Sequence, residues 1–109
     1  MKEVHFNMTN EINSLRLIKS TELLPIGSVV MVEGIQQAIM VYGRKQQRAN
    51  SEDVFDYVAC PYPQGHISDD TNVFFYHNQI VDVVFKGLET EGEVVLRERL
   101  KEAFDQEEN

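Results

Sequence analysis

The sequence is poor in cysteine and has no tryptophan. Its single cysteine, Cys60, can form neither an internal disulfide nor a multi-cysteine metal site, which favours a reducing compartment. No apolar run approaches the roughly 20 residues that span a bilayer, and the amino terminus has no apolar core of a signal peptide. We therefore expect a cytoplasmic protein without membrane insertion.

Basic residues are also scarce, because 10 Lys and Arg stand against 18 Asp and Glu, a formal net charge of -8. Nucleic-acid binding needs clustered Lys and Arg to displace the counterions of the phosphates, so we expect no nucleic-acid partner. An anionic membrane surface would repel the chain in the same way. The charge instead favours a protein partner with a basic surface.

The chain has 109 residues, of which 42% are apolar, and this is typical of one ordinary globular domain. We divide it into an N-terminal arm or short helix over residues 1–22, a single α+β domain over residues 23–105, and a polar tail over residues 106–109. No internal repeat or linker separates a further domain.

Runs of β-branched and aromatic residues, bounded by glycines, prolines and polar turns, predict about five mostly antiparallel strands in a curled or barrel-like sheet. Residues 28–33 and 38–42 form a predicted hairpin, and residues 55–60, 73–76 and 80–85 supply the other strands. Residues 44–53 contain almost no apolar side chain and predict a solvated loop.

The last predicted element is an amphipathic helix near the C-terminus. Thr90 and Glu93 have the spacing of a capping box, in which side chains satisfy the open amides at a helix start. Four apolar residues then share one face, and we expect this face to dock on the sheet: Leu96, Leu100, Ala103 and Phe104.

The candidate interaction site is the turn after the central strand. Pro61 and Pro63 lack a backbone N–H and end the strand, Gly65 permits the turn, and the Tyr62-Pro63 bond is a candidate cis bond. Tyr62, held between two prolines, suits a contact anchor. The candidate protein-binding residues are Tyr57, Cys60, Pro61, Tyr62, Pro63, Gly65 and His66.

Two chemical alternatives use the same region. Cys60 with His66 or His77 and an acid (Asp56, Asp69 or Asp82) would supply the residue types of a thiol hydrolase, although no local signature surrounds Cys60. A metal site would use His66, Asp69, Asp70 and His77, which lack helical ligand spacing. Ligand binding in the mouth of a barrel would need a deep apolar cavity. We expect no catalytic residue, metal or cofactor.

Four sequence blocks in order carry a resemblance to a known family. They are residues 24–30 (LPIGSVV), 40–44 (MVYGR), 57–65 (YVACPYPQG) and 75–87 (from FYHNQI to VVFKG). The chain resembles the domain-of-unknown-function family 4176, small cytoplasmic proteins of Gram-positive bacteria.

Members of that family are often encoded beside type VII secretion components and LXG-domain toxins. The resemblance implies a non-catalytic accessory, adaptor or chaperone-like partner of such a toxin, with no catalytic residues to carry over. An immunity protein that masks a toxin is the alternative, and homo-oligomerisation stays open.

Overall fold

The computed structural model describes residues 22–108. Apart from Glu22, the predicted N-terminal arm or short helix lies outside the described residues, as does Asn109.

The described chain contains five strands and one helix, so the α+β fold is confirmed. The strands are β1 (Val29–Val32), β2 (Ile39–Gln47), β3 (Val54–Pro61), β4 (Val73–Phe75) and β5 (Ile80–Phe85), and the helix is α1 (Glu91–Glu108). Short 3₁₀ turns at Asp69–Thr71 and His77–Gln79 precede β4 and β5. Because α1 runs to Glu108, residues 106–108 of the predicted tail are helical.

All strand pairs are antiparallel, and the order across the sheet is β4-β3-β2-β1-β5. The first four strands follow one another as a meander, and β5 returns to pair with β1. The predicted sheet was curled or barrel-like, and the described strands form an open sheet with β4 and β5 at its two sides.

The core lies on one face of this sheet, because alternate residues of each strand point the same way. On β3, Tyr57 and Ala59 are fully buried on this face, and the Tyr57 ring stacks on Phe75 of β4 with centroids 5.1 Å apart. Members of the core cluster come from every strand and from the segment before β1: Leu24, Val30, Val32, Ile39, Val41, Tyr57, Ala59, Phe75, Ile80 and Val83.

The predicted solvated loop over residues 44–53 is wrong at its start. Strand β2 continues through Gln47, and Arg44 pairs with Tyr57 of β3 and is buried. The charged sequence concealed this strand because the Arg44 charge is neutralised by Glu93, which lies 49 positions later in the chain.

The predicted docking face of α1 is also partly wrong. Leu100 and Phe104 are half-buried as expected, but Leu96 is 49% exposed and Ala103 is exposed. Glu93 turns toward the sheet to bind Arg44, and Leu96 lies about 60° away around the helix axis. The ion pair therefore sets the rotation of the helix, and Leu96 lies at the side of the face that docks on the sheet.

One of the two hydrogen bonds of the predicted capping box is present at the start of α1, where the Glu93 N–H donates to Thr90 Oγ1 at 3.1 Å. The Glu93 carboxylate, which the capping box would direct back to Thr90, binds Arg44 instead. Within residues 22–108, no helix has both the length and the apolar character needed to cross a membrane.

Candidate protein-interaction site

The turn that follows β3 is held rigidly by hydrogen bonds to the loop between β1 and β2. The Tyr62 N–H donates to Ala38 O at 3.0 Å, and Gln37 Nε2 donates to Tyr62 O at 3.2 Å and Gln64 Oε1 at 2.6 Å. Within the turn, the Gly65 N–H donates to Pro61 O at 2.7 Å. These bonds fix the backbone on both sides of Tyr62.

The predicted cis bond between Tyr62 and Pro63 is confirmed. Gly65 has a φ of 79°, in the left-handed region where a residue with a Cβ is disfavoured. The proline and glycine positions that predicted the turn therefore match its backbone conformation.

Four side chains form an exposed surface at this turn, which we name the turn surface: Tyr42, Tyr62, His66 and Ile67. Tyr62 is 50% exposed and Ile67 62% exposed. The rings of Tyr42 and His66 meet edge to face with centroids 6.2 Å apart. Partial burial raises the pKa of Tyr42, and Cys60 and Asp69 add to the shift, so the phenol is neutral at physiological pH.

The predicted binding residues fall into three groups by exposure. Tyr62, Pro63 and His66 are exposed, Pro61 and Gly65 are half-buried, and Tyr57 and Cys60 are buried. The buried pair supports the turn from within the sheet and offers no accessible surface to a partner. Sequence reasoning missed Tyr42, whose contact with His66 depends on the pairing of β2 with β3.

The structure does not bring Cys60 together with His77. Cys60 and Tyr57 are three positions apart on β3 and therefore point to opposite faces of the sheet. The Tyr57 hydroxyl is hydrogen-bonded to the His77 imidazole, so this imidazole lies on the face of the sheet opposite to the Cys60 thiol. His66 is exposed and donates from Nδ1 to Asn72 Oδ1 at 3.1 Å.

Nor does the described part of the chain contain a group of three or more His, Cys, Asp or Glu residues that could hold a metal ion. The set considered from sequence is therefore not such a group: His66, Asp69, Asp70 and His77.

A buried polar network on the core face was not predicted. The Tyr57 hydroxyl accepts the Leu24 N–H at 2.9 Å and lies 2.6 Å from His77 Nδ1. Burial raises the pKa of Tyr57 well above its ordinary value, so the hydroxyl keeps its proton. Because the Leu24 N–H already donates to this oxygen, the hydroxyl proton is available for a hydrogen bond to Nδ1.

The same network continues to the surface through Asp56. Asp56 Oδ2 accepts the backbone N–H of His77 at 2.8 Å, and Oδ1 lies 2.7 Å from Lys45 Nζ. Lys45 also lies 5.5 Å from the centre of the Phe104 ring of α1. The network thus joins β2, β3, the turn before β5 and the helix.

A cavity of about 190 Å³ lies beside this network, between α1 and the sheet. Its lining has three basic and three acidic side chains, and Lys45 pairs with Asp56 and Arg97 with Glu22. Because these charges balance, the cavity has no net charge to select an ionic ligand. The lining residues are Glu22, Leu23, Lys45, Asp56, His77, Arg97, Glu98 and Lys101.

The open antiparallel sheet and the single helix define a small α+β domain, which presents a rigid, exposed turn. The family described as domain of unknown function (DUF4176) matches residues 23–96, which include all five strands and the start of α1. The chain belongs to this family. Comparison with curated proteins gave no match, and comparison with solved structures gave none.

Proposed function

We propose that this chain is a non-catalytic, cytoplasmic protein-binding module, an accessory or chaperone-like partner of a type VII secreted toxin of the LXG kind. The family resemblance supports the toxin and secretion part of the proposal. The observation that carries the binding part is Tyr62, which is half exposed on a turn with a hydrogen-bonded backbone.

A tyrosine in this setting is a good contact anchor for a physical reason. Its ring offers a large apolar area and a polar hydroxyl, and its backbone is already ordered before a partner arrives. Binding therefore costs less conformational entropy than it would on a flexible loop. Tyr42, His66 and Ile67 extend the contact area beside it.

The charge of the chain supports a basic partner. A net charge of -8 on a chain of this size steers association with positively charged surfaces and weakens it with acidic ones. We expect the rate of complex formation to fall as salt concentration rises, because the attraction between exposed charges is screened.

Two observations favour binding over thiol hydrolysis. The Cys60 thiol is buried, with only 3% of the residue exposed, and it points away from His77. A cysteine nucleophile needs a base within hydrogen-bond reach and access to its substrate.

The proposal is tested by co-expressing the chain with the products of adjacent genes and measuring complexes by native mass spectrometry. A stable complex is expected, and Tyr62→Ala should weaken it by roughly tenfold or more, as for a hot-spot tyrosine. Leu88→Ala is the matched control, since Leu88 is 81% exposed but lies outside the turn surface. Recovery of the lone chain in every case would refute the proposal.

The immunity alternative has its own outcome in the same system. Rescue of cells from the toxin by this chain alone would assign an immunity role. Loss of toxin secretion without the chain, and without any rescue by it, would assign an export role.

A further inference from the structure

The outer side of β4 lacks a partner strand among residues 22–108. β4 pairs only with β3, through Val73 opposite Ala59, Phe74 opposite Val58 and Phe75 opposite Tyr57. In an antiparallel ladder, alternate residues direct their N–H and C=O groups to opposite sides. Strand β4 therefore directs backbone donors and acceptors away from β3.

This side of the sheet has little of the protection that edge strands usually carry. Strand β5, at the opposite side, contains Asp82 and pairs with β1 through two register irregularities. Strand β4 consists of Val73, Phe74 and Phe75, with no charge, proline or bulge. Within the strand itself, its short length is the protective feature.

A groove of about 530 Å³ lies beside β4 and has Phe74 in its wall. Phe74 is half-buried, its ring packs on Phe55 with centroids 5.7 Å apart, and the Arg48 guanidinium lies 5.6 Å from its centre. The groove is lined by Arg48, Ala49, Asp69, Asp70, Asn72 and Phe74. It therefore combines an aromatic wall with two carboxylates and one guanidinium.

The groove has two carboxylates against the single guanidinium of Arg48, so its excess charge is negative and favours a basic occupant. Asp69 and Asp70 are exposed, and neither carboxylate forms an ion pair with any residue in the described part of the chain. A Lys or Arg side chain of a partner would neutralise them without displacing an existing partner. Asn72 also binds His66, so the groove adjoins the turn surface.

We propose that an extended segment of the protein partner, with alternating basic and apolar residues, adds to β4 as a sixth strand. The backbone of this segment forms hydrogen bonds with the outer N–H and C=O groups of β4. An apolar side chain of the segment packs on Phe74, and basic side chains pair with Asp69 and Asp70. This inference rests on the proposed protein-binding function and specifies the chemistry of the partner.

The test uses a synthetic peptide of alternating lysine and valine, about ten residues long, the upper length of a typical strand. Its binding to the full chain is followed through the backbone amide signals in NMR spectra. We expect binding that shifts the amides of residues 69–75, and D69K/D70K should weaken it by about fivefold or more. The control E98K/E102K makes the same change in net charge on exposed positions of α1 and should leave the affinity unchanged.

A second form of the peptide separates strand addition from general charge attraction. N-methylation of alternate residues removes the amide hydrogens from one edge of the peptide, and methylation of the intervening residues removes them from the other edge. If the segment adds to β4, one methylated form fails to bind and the other retains binding. Equal binding of both forms, equal weakening by the two charge variants, or no binding up to millimolar peptide would overturn the inference.

The same variants distinguish this inference from the proposed function. A partner complex that Tyr62→Ala weakens and D69K/D70K leaves unchanged would overturn strand addition and support the binding module. Peptide addition to β4 without a complex in co-expression would support the edge site and refute the proposed function.

Discussion

The ion pair between Arg44 and Glu93 should be a main determinant of stability, because it joins the start of α1 to the sheet from a buried position. Two bonds of 2.6 and 2.7 Å connect the guanidinium to both carboxylate oxygens, and Arg44 Nη1 also donates to Leu24 O at 3.3 Å. The side chains are only 3% and 10% exposed. Solvent screening is therefore weak, unlike at a surface pair.

Removing one partner leaves the other charge buried, and the two single substitutions differ in this respect. Glu93→Ala leaves the Arg44 guanidinium in the sheet without a carboxylate, which should cost about 3–5 kcal/mol. Arg44→Met should cost less, because Glu93 lies 3.9 Å from Arg97 Nη1 and can turn toward it. The larger loss is a substantial part of the roughly 5–15 kcal/mol that stabilises a typical domain.

Urea denaturation of the two single variants and of Arg44→Met/Glu93→Leu measures these differences in the free energy of unfolding. The double variant should be more stable than Glu93→Ala, because apolar side chains of similar size avoid an unpaired buried charge. A cost below about 1 kcal/mol for Glu93→Ala would show that the pair acts as an exposed one. A double variant that is no more stable than Glu93→Ala would likewise refute the reasoning.

Two further predictions concern the core and the glycines. Tyr57→Phe removes the hydroxyl that joins the Leu24 amide to the His77 imidazole. It should lower the free energy of unfolding, measured by urea titration, by about 1–3 kcal/mol. An unchanged unfolding midpoint would contradict the role of this network. Gly87→Ala should lower the melting temperature because a Cβ would collide with the backbone carbonyl of Ile26. Gly92→Ala in α1 should raise stability by up to about 1 kcal/mol, because its Cβ would meet Thr90 Oγ1 at an ordinary contact distance of 3.7 Å. Equal effects of the two substitutions would contradict this packing.

Strand positions were predictable wherever apolar residues alternate between turn residues. Local composition predicts the hairpin of β1 and β2, strands β4 and β5, and the turn at His77–Gln79. The second half of β2 could not be predicted this way, because its polar residues are placed by pairing with β3. Local patterns do not show which distant residue will neutralise a buried charge such as that of Arg44.

The candidate site was predictable to a similar extent. Two prolines and a glycine predicted the turn, and Tyr62 is exposed on it. The burial of Tyr57 was not apparent, because the partners of its hydroxyl lie 33 and 20 positions away in the chain. An aromatic residue on a strand can pack inward or form a surface contact, and only the sheet register decides between them.

Both proposed contact surfaces are attached to β3, and this has a consequence for any binding experiment. The turn surface continues from the end of β3, and β4 with its groove pairs along the side of the same strand. Residues of β3 such as Tyr57 and Ala59 are packed in the core. A core substitution in β3 would therefore shift both surfaces and weaken binding without removing any contact to the partner. Surface variants such as Tyr62→Ala remove a contact to the partner without shifting the surfaces, provided that their unfolding midpoints match that of the wild type.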